Sequence, residues 1–383
     1  MGTSKALPFS VEEFQTRLAN VRSEMKRRDL DALLLFNPEN IYYLTGYASL
    51  SYFVYQSLLV THDAPPLMIG RRLVERTYRE ITWSEVIRPY TDTDDPIQVT
   101  AAAVTDAKVG GGRIGIEESS GYLNVQQHRK LVGLLPQAKL GDGSGVVEGP
   151  RLVKSPAEIA YIREAARLSD LGIEAAVNAI KEGVSEDQVA AVLYHEMIRH
   201  GCEYFSLPLL VGSGPRSWGS FSTWAGRRIQ RGDAILLETF GTVKRYSAAL
   251  ETSVILGEAT REQARGFEAV TAGIQAAIAA VKPAATAHDV DAALQGSFTQ
   301  AGLKQYHPHR SGYSLGINFP PDPTERSLSL KPGEHTSLVP GMVFHILSNL
   351  FIEGVGGLAA THTVLVTPDG REVLTKYRHR LTC

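Results

Sequence analysis

The sequence contains few cysteines and almost no net charge. Cys202 and Cys383 are the only two cysteines in 383 residues, which excludes a disulfide framework and a cluster of thiolate metal ligands. Lys and Arg total 39 against 41 Asp and Glu. This balance gives no electrostatic reason to bind nucleic acid or an anionic membrane surface. We therefore expect a small-molecule partner and no nucleic acid.

Long apolar runs are also missing. No stretch approaches the ~20 residues that are needed to cross a bilayer, and residues 1–13 lack the basic-then-apolar order of a signal peptide. These absences predict a cytoplasmic protein without membrane contact. What the chain does have is length and 43% hydrophobic residues, enough for two separate cores.

Helix-start signals divide the chain into two parts. Ser10 with Glu13 forms a capping box before a helical apolar pattern, and residues 32–36 read as a short buried strand closed by a turn at Asn37-Pro38. Ser155 and Glu158 form a second capping box around a proline at the first helical position. The sequence therefore predicts an α/β protein with an N-terminal domain at residues 1–150 and a C-terminal domain at residues 151–383.

Several segments resemble one family along nearly the whole chain. These segments are residues 37–47 (NPENIYYLTGY), 151–159 (RLVKSPAEI), 312–316 (GYSLG) and 339–344 (VPGMVF). They are similar to landmarks of the pita-bread family, which includes prolidase, aminopeptidase P and creatinase. The resemblance implies a creatinase-like α/β N-terminal domain followed by a C-terminal pita-bread catalytic domain.

The metal-ligand positions of that family are altered in this chain. Its metallopeptidases bind two divalent metals through two aspartates, one histidine and two glutamates, a donor set that generates a hydroxide nucleophile. By resemblance, those places hold Glu238, Ala249, Tyr313, Leu347 and Thr361. The resemblance thus implies no metal and no other cofactor, and a protein that is not a metallo-aminopeptidase.

Other residues resemble the creatinase and ectoine hydrolase branch. Residues 246–252 (YSAALET) are similar to creatinase, and residues 312–316, 328–333 and 344–345 are more similar to ectoine hydrolase. Phe221 replaces a histidine of that branch, and Ala359 and His362 replace acidic residues of the last strand. The resemblance implies a hydrolase of a non-peptide C–N bond in a small, cyclic or amidine-like amino-acid derivative, with a different substrate.

Three residues are candidates for catalysis. Glu238 ends an apolar strand, where a buried carboxylate needs a partner or a raised pKa. It is a candidate base or nucleophile, or else a structural glutamate bonded to Arg245 or another nearby base. Glu251 shares a strand face with Ala249 and could hold a cationic nitrogen. His345 is a candidate proton shuttle, or else a core histidine.

Further residues are candidates for substrate binding. Tyr313 replaces a metal ligand, His362 adjoins Thr361, and Arg310 could reach a substrate carboxylate. Its neighbours at 307–309 are expected to be solvated loop residues. The aromatic candidates, which either line a pocket or pack a core, are Tyr52, Tyr55, Phe221 and Trp218. In the resembling enzymes one subunit's N-terminal domain closes the partner's site, which implies a homodimer.

Two other functions remain open from the sequence. The same scaffold could host a lyase, an isomerase or a cyclase of a specialised biosynthetic pathway, because the histidine at the place of Phe221 is absent. It could also be a non-catalytic binder of small molecules. Glu238 and Glu251 disfavour a binder, since buried carboxylates are costly in a pocket that performs no chemistry.

Overall fold

The computed structural model describes residues 5–383. The chain divides into two compact units, one ending at Arg151 and one running from Leu152 to Cys383. Each unit has its own sheet and its own hydrophobic core. Among residues 5–383, no helix combines the length and the hydrophobicity that a membrane span requires.

The first unit is built on a six-stranded mixed sheet. Its helices are α1 (Val11–Arg27), α2 (Pro38–Thr45), α3 (Glu75–Ile81), α4 (Pro96–Asp106), α5 (Val125–Leu134) and α6 (Glu148–Leu152). Its strands are β1 (Ala32–Leu35), β2 (Ser57–Thr61), β3 (Leu67–Arg71), β4 (Ile87–Tyr90), β5 (Arg113–Ile116) and β6 (Lys139–Asp142), in the order β4-β3-β2-β1-β5-β6. The Ser10 side chain caps α1 by accepting from the Glu13 N–H, which is one half of the predicted capping box, whereas the Glu13 carboxylate pairs with Arg17.

The second unit is built on an antiparallel sheet covered by four helices. The helices are α7 (Pro156–Ala179), α8 (Glu186–Arg199), α9 (Arg261–Ala280) and α10 (Ala287–Gln300). The strands are β7 (Leu210–Ser213), β8 (Ala234–Val243), β9 (Tyr246–Ile255), β10 (Gly312–Ser314), β11 (Ser329–Leu330), β12 (Val343–Ile352), β13 (Gly356–Thr367) and β14 (Gly370–Val373). Their order is β11-β10-β12-β13-β9-β8-β7, and β14 pairs with β13.

Strand alternation separates the two faces of this sheet. Ile235 and Leu237 of β8 belong to the core that contains α7 and α8, and Phe344 and Ile346 of β12 belong to the core that contains α9 and α10. Because successive side chains point to opposite faces of a strand, the intervening residues face away from these helices. That second face carries the candidate site.

Candidate functional site

A cavity of about 470 Å³ lies on the helix-free face of the second sheet. This volume is within the usual range for a small-molecule site. The apolar and small lining residues are Leu207, Leu210, Gly212, Ser220, Phe221, Ser222, Leu236, Phe240, Pro321, Pro323, Thr324, Leu347 and Phe351. The remaining lining residues are Glu238, Glu251, His309, Arg310, Tyr313, Asp322, Arg326 and Asn349.

Two glutamates face each other inside this cavity. Glu238 of β8 and Glu251 of β9 are direct cross-strand partners, so their Cβ atoms lie about 5 Å apart. Glu238 is 8% exposed and Glu251 is 3% exposed. The Glu251 carboxylate accepts a hydrogen bond from Asn349 Nδ2 at 3.2 Å. Within residues 5–383, no side chain hydrogen-bonds or ion-pairs with the Glu238 carboxyl.

The alternative structural role of Glu238, as a partner of Arg245, is wrong. The Arg245 guanidinium donates to the main-chain oxygens of Asn318 and Tyr204, at 3.0 and 2.8 Å respectively. It also lies 3.7 Å from the carboxylate of Glu203. The Arg245 guanidinium therefore contacts groups other than Glu238 and does not neutralise the cavity carboxyls.

Burial and mutual repulsion change the acidity of the glutamate pair. Loss of solvation raises the pKa of Glu238 well above its ordinary value, and the neighbouring Glu251 raises it further. Burial raises the pKa of Glu251 to about 7, and the hydrogen bond from Asn349 opposes that rise. Near neutral pH the two groups therefore share a proton, and their titration belongs to the pair. Glu238, whose pKa is raised more, holds the shared proton, and Glu251 carries the negative charge.

His345 lies behind Tyr313 and is not among the residues that line the cavity. Its Nδ1 is 2.9 Å from the Tyr313 hydroxyl, and its Nε2 is 2.7 Å from Thr361 Oγ1. Thr361 Oγ1 also accepts from the main-chain N–H of Glu251 at 2.7 Å. Complete burial lowers the pKa of His345 to about 3, so the ring is neutral at physiological pH. The structure thus connects His345 to the cavity through the Tyr313 hydroxyl.

Arg310 lines the cavity beside Tyr313. Its guanidinium carbon lies 4.9 Å from the Tyr313 ring centroid, and its Nη1 donates to Ser329 Oγ at 2.9 Å. Its Nε is buried and finds no acceptor within the described part of the chain. Because a buried donor without a partner is costly, Arg310 retains unused capacity for an anionic group.

The expectation of a solvated loop at 307–309 is wrong for His307. This side chain is only 6% exposed, and its Nδ1 lies 2.8 Å from the main-chain oxygen of Asn349. His309 is half-buried and lines the cavity. Proline at 308 predicts an irregular backbone, but it gives no information about the strand β12 that covers His307.

The structure separates the other predicted residues. Phe221 lines the cavity at its rim, with φ of 61° and 69% exposure, whereas the half-buried Trp218 is outside the lining. His362 follows Thr361 on β13, so alternation turns it to the opposite face, where its Nδ1 lies 2.8 Å from Thr375 Oγ1. It does not reach the cavity lining.

Tyr52 and Tyr55 lie in the first unit and contact residues of that unit. The Tyr52 ring meets the Tyr122 ring edge-on at 5.7 Å, and the Tyr55 hydroxyl is 2.8 Å from Thr100 Oγ1. Both tyrosines are buried. Both tyrosines pack within their own unit. Their role in lining a substrate pocket stays a prediction.

Besides Asp322 and Arg326, sequence reasoning missed the polar cavity residue Asn349. It lies on β12 two residues beyond Leu347 and is 5% exposed. The same alternation that places His345 and Leu347 on one strand face also places Asn349 there. Extending the pattern by one step would have found the hydrogen-bond donor to Glu251.

The residues at the expected ligand positions do not fit a two-metal centre. Ala249 and Leu347 offer no donor atom, and the hydroxyls of Tyr313 and Thr361 are engaged with His345. Among residues 5–383, no group of three or more His, Cys, Asp or Glu is arranged to hold a metal ion. A two-metal centre needs several carboxylate or imidazole ligands.

Comparisons with known proteins cover both units. Residues 17–153 match the Creatinase/Prolidase N-terminal domain, and residues 160–368 match Metallopeptidase family M24. The chain is 29% identical to ectoine hydrolase of Halomonas elongata, over 98% of both proteins. It is 31% identical to the uncharacterized hydrolase/peptidase y4tL of Sinorhizobium fredii, over 97% of both.

The fold is similar to that of solved structures. The crystal structure of dipeptidase PepE from Mycobacterium ulcerans superposes with a TM-score of 0.85 at 24% identity, over 98% of each chain. This likeness and the two domain matches confirm the expected creatinase-like N-terminal domain followed by a pita-bread domain. The chain belongs to the metallopeptidase family M24 of hydrolases and carries a Creatinase/Prolidase N-terminal domain.

Proposed function

We propose that this protein is a metal-independent hydrolase of a non-peptide C–N bond in a small, zwitterionic amino-acid derivative with an amidine-like cation. The observation that carries the proposal is the buried Glu238 and Glu251 pair. Two carboxyls in a low-dielectric cavity attract a cation strongly. An amidinium can donate one N–H to the Glu251 carboxylate and another to the carbonyl oxygen of the protonated Glu238.

Arg310 binds the negatively charged carboxylate of the substrate. Its buried Nε lacks an acceptor, and a guanidinium binds a carboxylate through two parallel hydrogen bonds. A molecule with a cation for the glutamates and a carboxylate for Arg310 satisfies both ends of the cavity. The volume of about 470 Å³ suits a compact amino-acid derivative.

The acidities of the pair suggest a division of labour in hydrolysis. Glu251, with a pKa of about 7, takes a proton from water as the water oxygen bonds to the substrate carbon. Glu238, whose pKa is raised well above its usual range, gives its proton to the nitrogen as the C–N bond breaks. Water thus supplies OH to carbon and, through the pair, H to nitrogen. Each carboxyl then returns to its starting state by proton exchange within the pair.

Phe221 stands where the creatinase and ectoine hydrolase branch has a histidine. Tyr313 and His345 take over the role of that histidine. Tyr313 lines the cavity, and the Nδ1 of the neutral His345 ring lies 2.9 Å from the Tyr313 hydroxyl. Since its pKa is depressed to about 3, His345 acts by orienting the hydroxyl and relaying a proton, not by carrying a lasting positive charge. Ectoine hydrolase, similar along 98% of this chain, supports a small-molecule hydrolase.

We also propose a homodimer on the basis of the family resemblance. Phe53 and Leu50 of the first unit are 78% and 53% exposed, and clustered exposed apolar side chains are typical of interfaces. Light scattering at micromolar concentration should give twice the chain mass of 41.7 kDa. A monomer at that concentration would contradict the dimer and leave the hydrolase proposal standing.

Mass spectrometry of a substrate panel tests the proposed reaction. Cyclic and acyclic amidines that carry a carboxylate, their uncharged esters, and X-Pro dipeptides would be incubated with the purified protein. We expect addition of one water to a carboxylate-bearing amidine, no turnover by Glu238→Gln, and ordinary turnover by the matched surface variant Glu258→Gln. Turnover of the dipeptides alone would overturn the proposal.

A further inference from the structure

Asn349 contacts the one carboxyl of the pair that has a hydrogen-bond partner. Its Nδ2 lies 3.2 Å from Glu251 Oε2, and both residues are buried. Glu238, the cross-strand partner of Glu251, receives no such bond among residues 5–383. A hydrogen bond to a carboxylate favours the charged form of that carboxylate. Asn349 therefore distinguishes two otherwise similar acids.

His307 fixes the orientation of the Asn349 amide. Its Nδ1 lies 2.8 Å from the main-chain oxygen of Asn349 and 3.1 Å from Asn349 Oδ1. A carbonyl oxygen can only accept, so His307 Nδ1 must carry the hydrogen. Rotating the amide by 180° would place NH₂ against this N–H and Oδ1 against the Glu251 carboxylate. Both contacts would be repulsive, so Nδ2 must face Glu251.

The environment of His307 keeps it in this role. The ring is 6% exposed and lies 5.1 Å from the ring of Phe298 on α10. Burial lowers the pKa of His307, which favours a neutral ring with a single N–H. Its Nε2 is buried without a partner in the described residues, so the hydrogen is not needed there. The single N–H is thus directed to Asn349.

We propose that His307 and Asn349 are positioning residues that hold the charge of the glutamate pair on Glu251, so that Glu251 is the base and Glu238 the acid. This inference rests on the proposed hydrolase function, which it deepens by assigning the two carboxyls. It depends on a chain of two hydrogen bonds from a loop after α10 to the cavity. Neither His307 nor Asn349 needs to touch the substrate.

Other charged or titratable groups face Glu251 from several elements. They are Glu238 on β8, Tyr313 on β10, His345 on β12, and the cavity residues His309, Arg310, Asp322 and Arg326. Within the described residues none of them hydrogen-bonds to the side chain of His307 or Asn349, so we expect them to keep their positions when either residue is replaced. A change in the titration of Glu251 in those variants therefore reports the lost hydrogen bonds.

Carbon-13 NMR of the glutamate carboxyls in the 383-residue chain tests the inference without a substrate. The resonance of Glu251 is assigned by its absence in Glu251→Gln. In Asn349→Leu we expect its titration midpoint to rise by about one pH unit, the size of a hydrogen bond to a charged group. In His307→Phe, which keeps the ring packing, the midpoint should rise in the same direction by a smaller amount.

Two further variants separate positioning from general damage. His307→Asn keeps an N–H near the position of Nδ1 and should restore the wild-type midpoint. Ser348→Ala changes the neighbouring residue of β12, whose hydroxyl donates to Val270 on the other face at 2.7 Å, and should leave the midpoint unchanged. An unchanged midpoint in both Asn349→Leu and His307→Phe would overturn the inference.

The same change can be measured in the pH dependence of kcat/KM, with any substrate that the panel identifies. The acidic limb of kcat/KM should move to higher pH in Asn349→Leu, with roughly a tenfold loss below the limb and little loss above it. An equal loss at every pH would show a merely structural role and contradict the inference. Failure of the panel itself would count against the proposed function, while the NMR shifts would still test the positioning of Glu251.

Discussion

Replacing Glu251 by glutamine should make the protein more stable at alkaline pH, although it damages the site. The side chain keeps its size, and its amide oxygen can still accept from Asn349 Nδ2. What is lost is the charge, which wild-type protein must hold in a buried cavity beside Glu238. Sites that perform chemistry commonly carry such a cost in stability.

The magnitude follows from the acidity of Glu251. Its pKa rises from the ordinary 4.5 to about 7 in the folded protein. Below pH 4.5 both folded and unfolded chains hold the proton, and the group has no effect. As the pH rises, the unfolded chain releases its proton first, so the folded state loses stability between pH 4.5 and about 7, and the loss levels off above the folded pKa. At about 1.4 kcal/mol per pKa unit, roughly 3 kcal/mol of unfolding free energy is lost in total.

Urea unfolding followed by tryptophan fluorescence at pH 5 and pH 8 measures this effect. The gain in unfolding free energy of Glu251→Gln over wild type should be larger at pH 8 than at pH 5 by about 2 to 3 kcal/mol. Glu258→Gln, an exposed glutamate just after β9, should show no such difference. If Glu251→Gln gained the same unfolding free energy at both pH values, the raised pKa of Glu251 in the folded protein would be refuted.

Three other substitutions are predicted to act at different points of the site. Glu238→Gln should preserve folding and lower kcat by ~100-fold or more, as measured in steady-state kinetics, because glutamine can neither donate nor accept the catalytic proton; near-full activity would remove Glu238 from the mechanism. Arg310→Met should raise KM by roughly tenfold or more for carboxylate-bearing substrates and leave their esters unaffected; equal effects on both would contradict a carboxylate contact. Tyr313→Phe should lower the unfolding free energy by about 1 to 3 kcal/mol in chemical denaturation, because it leaves Nδ1 of the buried His345 unsatisfied; unchanged stability would show that this hydrogen bond contributes nothing.

Local signals in the sequence predict much of the fold. Ser155 and Ser185 begin α7 and α8 as complete capping boxes, with Glu158 and Gln188 bonded back to the cap backbone. The predicted turn after β1 was wrong, because Pro38 occupies the first turn of the helix α2. Asn37-Pro38 favours a turn by its local conformation, but proline is also preferred at a helix start.

The candidate site shows where such reasoning stops. Family resemblance and alternation along a strand locate Glu238 and Glu251, and the structure pairs them directly. His362 fails the same alternation test, since Thr361 already occupies the cavity face. The burial of His307 could not be predicted, because it depends on contacts with Asn349, 42 residues away in sequence. Such long-range packing leaves no local pattern.

The central claim is that the glutamate pair hydrolyses its substrate without a metal. The most direct measurement is turnover in H₂¹⁸O by protein that has been dialysed against chelator and checked by elemental analysis. We expect undiminished turnover, with one ¹⁸O atom incorporated into the product at the cleaved carbon. Turnover that disappears on chelation and returns only with added divalent metal would contradict the account.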